Sequence, residues 1–174
     1  MKTNFLFTLL FSLFFLSTVH SQRMGEPGVL GAGLASSYPA YGISGKYNFT
    51  EHHTAQIILG GASYGYSATG FSFGASGRYV YNFNVLGDSF FFKPYAYAQV
   101  SYFTVKYDYY FGTSDSYNTL GFGLGGGVEC EIPNFVEGLA FSGELGYIGG
   151  DFGSGIDSFA GLSYGASVHY YFDL

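Results

Sequence analysis

Polar and apolar residues alternate along most of this chain. Tyr41, Ile43, Tyr47 and Phe49 share one parity, and Gly42, Ser44, Lys46 and Asn48 share the other. Successive strand side chains point to opposite faces, so residues 41–50 predict a strand with one greasy and one polar face. The pattern recurs over residues 70–83, where Phe71, Phe73, Tyr79, Tyr81 and Phe83 oppose Ser72, Ser76, Arg78 and Asn82. Over residues 119–132, Leu120, Phe122, Leu124, Val128, Cys130 and Ile132 oppose Thr119, four glycines, Glu129 and Glu131. Over residues 139–148, Leu139, Phe141, Leu145 and Tyr147 oppose Ser142 and Glu144. The final segment sets Leu162, Tyr164, Ala166, Val168, Tyr170, Phe172 and Leu174 against Ser163, Ser167, His169 and Asp173.

Three further segments carry a weaker form. Residues 28–36 alternate leucine and alanine with glycine, and residues 53–66 set Ala55, Ile57 and Leu59 against Thr54 and Gln56, with Ile58 breaking the pattern. In residues 90–107, Ala96, Ala98, Val100 and Tyr102 are placed outward because Gln99 and Ser101 then point inward. The total is eight strands, an even number, most of them long enough for a tilted strand to cross a bilayer. A soluble barrel would put the aromatics inside and expose mostly glycine and serine. Eight strands enclose a space that side chains just fill, and so many inward rings would overfill it. The inverted arrangement places small residues around a narrow lumen and bulky ones against lipid. Closure follows, because an open sheet edge in hydrocarbon has no water to bond. The expected fold is all-β: an eight-stranded antiparallel up-and-down transmembrane β-barrel over residues 28–174.

Composition supports the inversion. Charged residues are only 10% of the chain, against about 25% in soluble domains. A formal charge of −6 excludes a nucleic-acid partner, which needs a basic surface. A single cysteine, Cys130, excludes an intramolecular disulfide and a multi-cysteine metal site. No later run of 18 apolar residues exists for a transmembrane helix. Residues 1–21 read as a secretory signal peptide: Lys2, an apolar core over residues 5–16, and Val19 and Ser21 before a cleavage point at Gln22. Residues 22–27 form a short leader. With both termini periplasmic, the long connections at 108–117 and 149–159 fall outside the cell, and shorter turns at 51–52, 84–88 and 133–136 fall in the periplasm. Short connections at 37–40 and 67–68 make that asymmetry partial.

In pattern, the chain from the leader onward resembles the outer-membrane β-barrel family that includes the OmpA-type and OmpX-type barrels, as a stand-alone barrel domain. The last strand, ending His169-Tyr170-Tyr171-Phe172-Asp173-Leu174, is similar to the alternating aromatic signal read by the barrel-assembly machinery, with Tyr170, Phe172 and Leu174 on its outward parity. The resemblance implies integral residence in the outer membrane after export, with outer-membrane lipid and that machinery as partners. The family spans structural barrels, adhesins and a few enzymes.

Candidate chemistry is sparse. Gly121, Gly123 and Gly126 fit G-x-G-x-x-G, but a dinucleotide site needs the motif to open a helix, and here it lies inside a strand. Glu51, His52 and His53 sit adjacent on a turn and do not readily converge on one ion. The histidines fall away from the outer rim, where Ser114, Asp115 and Ser116 lie, so a rim enzyme with a histidine base is disfavoured. No catalytic, metal or cofactor site is assigned. Lys46, Arg78, Glu129 and Glu144 all have inward parity, and buried charges must pair. A gate or binding site is one reading of them; a structural ion-pair plug is favoured. The expected role is structural or surface-interacting, with an extracellular ligand met through loops 108–117 and 149–159. A small-solute transport barrel is the alternative.

Overall fold

In the computed structural model the described residues are 24–62, 72–87, 90–108, 114–132, 135–151 and 158–173. The eight strands are β1 (Val29–Ser37), β2 (Ala40–Asn48), β3 (His53–Ala62), β4 (Phe73–Asn82), β5 (Phe91–Asp108), β6 (Ser114–Glu131), β7 (Leu139–Asp151) and β8 (Phe159–Asp173). Each pairs antiparallel with its sequence neighbours, and β1 pairs with β8, closing the barrel. The closing rungs run from Val29↔Asp173 to Ser37↔Gly165. Among the described residues no helix is long and apolar enough to cross a membrane; crossing by strands is a separate matter, and here the strands carry the apolar surface.

That surface faces outward. Ile43, Ile57, Phe122, Leu124, Leu145, Leu162 and Tyr164 are all more than half exposed, while Lys46, Gln56, Arg78, Lys93, Gln99, Glu129 and Glu144 are buried. This is the reverse of a water-soluble protein, and it follows from the period-two pattern once the sheet closes. The phase of β5 has Ala96, Ala98, Val100 and Tyr102 outside, with Gln99 and Ser101 inside. Ile58, the residue that breaks the alternation of β3, turns into the lumen with no exposed surface and packs with Ala35 and Ala40.

Two connections differ from the sequence reading. The β5–β6 ladder continues to the Asp108↔Ser114 rung, so residues 114–117 of the expected 108–117 loop are strand. Likewise β7 runs to Asp151, taking 149–151 out of the expected 149–159 loop. Beyond the bilayer both faces of a hairpin meet water, so alternation fades while the backbone ladder continues. The signal peptide, the connection at 67–68, the strand ends at 63–66 and 70–71, Asp88, Pro133, the core of the 149–159 loop and Leu174 lie outside the described residues.

A charged network in the lumen

Every strand sends a polar or charged side chain into the lumen, β1 through Ser37, whose hydroxyl donates to Gln99 Oε1 at 3.4 Å. Lys46 (β2) places Nζ 2.7 Å from Glu129 Oε1 (β6), and Lys93 (β5) places Nζ 3.3 Å from Glu129 Oε2. The Tyr171 hydroxyl (β8) donates to Glu129 Oε1 at 2.8 Å. Arg78 (β4) meets Glu144 (β7) as a two-pronged pair, at 3.0 Å and 2.8 Å. This parallel geometry is the strong form of a charge-assisted contact. Arg78 also donates to Gln56 Oε1 (β3) at 3.1 Å, and its guanidinium lies 3.7 Å from the Tyr97 ring centroid, a cation–π contact.

Tyr95 joins the two groups. Its hydroxyl donates to Glu144 Oε2 at 2.9 Å, and Lys46 Nζ lies 5.8 Å from its ring centroid. A neutral chain completes the circuit: Gln56 donates to Ser44 Oγ, Ser44 meets His169 Nε2 at 2.9 Å, and His169 Nδ1 meets Ser167. Among the described residues, the buried cations of the lumen are Lys46, Arg78 and Lys93, and the buried carboxylates are Glu129, Glu131 and Glu144. The charges therefore balance, as they must where water is scarce. The space among Lys46, Thr54, Gln56, Lys93, Tyr95, Glu129 and Tyr171 holds no water-sized void.

Glycines make the room for this. A Cβ on Gly125 would lie 2.5 Å from Tyr97 Cζ, and one on Gly127 would lie 2.6 Å from Tyr95 Cζ. β1 contributes Gly31, where a Cβ would meet Tyr171 at 2.7 Å. Gly121, Gly123 and Gly126 sit in β6 as barrel wall, with no helix following.

The base of the lumen is covered by residues 24–28, of which 24–27 belong to the expected leader. Met24 is buried against Val29, Ala140 and Tyr171, and its backbone N–H donates to Glu131 Oε2 at 2.9 Å. Glu131 Oε1 accepts from the Gly138 N–H at 3.1 Å, tying the segment to the turn before β7. Positive φ at Gly25 (99°) and Gly28 (82°) lets the segment fold under the barrel. Asn48 fastens it, donating to Glu26 O at 3.3 Å and accepting from the Gly28 N–H at 2.8 Å.

Lys46, Arg78, Glu129 and Glu144 thus sit at the centre in two salt-bridged groups. Sequence reasoning did not single out Lys93, Tyr95, Tyr97 or Tyr171, and it placed Glu131 on the inward face without including it in the ion-pair set. Parity was the available signal: all five share the inward phase of Gln99, Glu129 or His169. His52 and His53 do not converge on an ion: His52 Nδ1 bonds Asn82 O, and His53 Nδ1 bonds the Tyr79 hydroxyl. No group of three or more metal-ligating side chains occurs among the described residues. Tyr170 and Phe172 are half-buried on the outer face of β8, and Phe172 pairs with Leu30.

The fold has solved counterparts. The N-terminal β-barrel domain of Pseudomonas aeruginosa OprF superposes with a TM-score of 0.60 at 15% identity, over 84% of this chain and 98% of that one. Neisserial surface protein A (NspA) superposes with a TM-score of 0.50 at 16% identity, over 84% and 95%. No curated protein sequence matches. The outer membrane protein β-barrel domain family matches residues 24–172, nearly the whole described barrel, and the chain belongs to that family.

Proposed function

We propose that this protein is a non-conducting barrel of the outer membrane, exported by its signal peptide, whose lumen is a structural plug and whose role is structural or surface-interacting through its loops. The observation that carries this is the charge-balanced network fixed to the strands of the barrel, with the bidentate Arg78–Glu144 pair at its centre. A solute would have to break several buried ion pairs at once, and each broken pair leaves a charge stranded in a place short of water. The burial of His169 inside the plug, and the placing of His52 and His53 at the end that carries both termini, argue against a catalytic rim at the far end.

The test is conductance. Purified protein in a planar bilayer is expected to give no stable, large openings. Ion-selective, long-lived openings in the unmodified protein would overturn the plug and favour passage of a small solute instead.

A further inference from the structure

The end of the barrel that carries both termini has two unlike halves. On one half the chain turns through Glu26, Pro27, Thr50 and Glu51, all exposed and mostly polar, with Phe49 as the one exposed ring beside them. On the other, the β4–β5 and β6–β7 connections expose Val85, Leu86, Phe90, Phe135 and Val136, with Phe135 at 73%. These side chains continue the outward apolar wall past its last rung, Phe92↔Cys130. A cleft of about 450 Å³ separates the β4–β5 turn from residues 24–26, so the turn is not packed back onto the protein.

The backbone of these turns is also prepared for a water-poor setting. Leu86 and Phe92 exchange both N–H···O bonds at 2.8 Å, and the Phe83 N–H donates to Pro94 O at 2.9 Å. In the other turn the N–H groups of Phe135 and Val136 both reach Ile132 O. A turn that entered lipid with open N–H groups would be costly; here the N–H groups of Phe83, Leu86, Phe135 and Val136 are bonded internally. On the polar half the N–H groups of Phe49 and Thr50 both reach His53 O, and the Thr50 hydroxyl accepts from the N–H groups of His52 and His53.

We propose that Val85, Leu86, Phe90, Phe135 and Val136, in the β4–β5 and β6–β7 connections, are embedded in the membrane leaflet on the side of the termini, with phospholipid acyl chains covering them. The β1–β3 half of the same rim stands in water. Glu137, exposed beside Val136, holds the depth at the headgroup boundary. An apolar belt that reaches lower on one half is matched to a flat bilayer by tilting the barrel axis toward that half.

Spin labels test the depth. Single cysteines Leu86→Cys, Phe135→Cys and Glu51→Cys, in a Cys130→Ser background, are labelled after folding into dioleoylphosphatidylcholine vesicles, and heat-modifiable gel migration confirms the fold. Labels at 86 and 135 are expected to relax more with oxygen, which partitions into lipid, than with a water-soluble nickel chelate; the label at 51 is expected to do the reverse. Nickel exceeding oxygen at 86 and 135 overturns the proposal. So does shielding of those labels from both reagents, which would assign the patch to a second copy of the chain or to another protein. Should a labelled variant not fold, the unsubstituted protein in nanodiscs of the same lipid gives an equivalent readout. The methyl signals of Val85, Leu86 and Val136 are expected to broaden with doxyl-labelled lipid and not with a soluble gadolinium chelate, and the opposite result overturns the proposal.

Discussion

At the residue scale, the plug depends on partners rather than on burial. Arg78 and Glu144 are each less than a tenth exposed, and burying such a pair gains little over an apolar pair of the same shape. Removing one member is different, because the other is left charged and unpaired, at about 3–5 kcal/mol. Arg78→Ala therefore strands Glu144, and with it the Tyr95 hydroxyl contact. It is expected to lower stability by about that amount in reversible urea unfolding from vesicles. Glu137→Ala, on an exposed turn, is expected to change it by less than about 0.5 kcal/mol. The double variant R78M/E144L is expected to recover part of the loss, since neither charge then remains. Equal losses for Arg78→Ala and the double variant would show that the pair contributes shape and not charge balance. Glycine works at the same scale: Tyr95 and Tyr97 enter a narrow lumen only because Gly125 and Gly127 stand opposite them.

At the element scale, the short stretch 24–28 behaves as part of the barrel although it precedes the first strand. Its anchors are Met24 in an apolar pocket and the Glu131 carboxylate, which holds two backbone N–H groups from different segments. A cysteine at Met24, in a Cys130→Ser background, is expected to resist a charged maleimide in the folded barrel. Adding Glu131→Ala is expected to make it reactive while heat-modifiable migration persists. Fast labelling at residue 24 with Glu131 intact would show that the segment is not held. The strands themselves were legible, because a sheet with lipid on one face and a lumen on the other enforces a two-residue period. Three things were not. Hairpins projecting beyond the bilayer lose the period, which is why 114–117 read as loop. Leader residues carry no period at all, so Met24 gave no sign of its burial. Within β5, Lys93, Tyr95 and Tyr97 share the inward parity that Gln99 and Ser101 set, yet tyrosine also suits the outer wall, and only the facing glycines of β6 show that these rings fit inside.

At the scale of the whole molecule, an even number of antiparallel strands puts both termini at one end, together with the 49–52, 83–90 and 132–138 connections. The opposite end carries the 38–39 connection and the Asp108↔Ser114 rung of the β5–β6 hairpin. Which end faces the cell exterior follows from the asymmetry of the hairpins. The β5–β6 ladder alone runs 18 rungs, to Asp108↔Ser114 at the far end, well beyond the roughly 9–11 residues that a tilted strand needs to cross. Outer-membrane barrels have short periplasmic turns and longer extracellular loops, so we propose that this long projection lies outside and the termini in the periplasm. The embedded β4–β5 and β6–β7 turns would then lie in the inner leaflet of the outer membrane. Cysteines replacing Asp115, which pairs with Tyr107 on the projecting hairpin, and Glu51, on the β2–β3 turn, separate the two orientations in a Cys130→Ser background. On intact cells an impermeant maleimide is expected to label residue 115 and to leave residue 51 unlabelled until the outer membrane is opened. Labelling at 51 without labelling at 115 would invert the barrel and place the lipid-embedded turns in the outer leaflet.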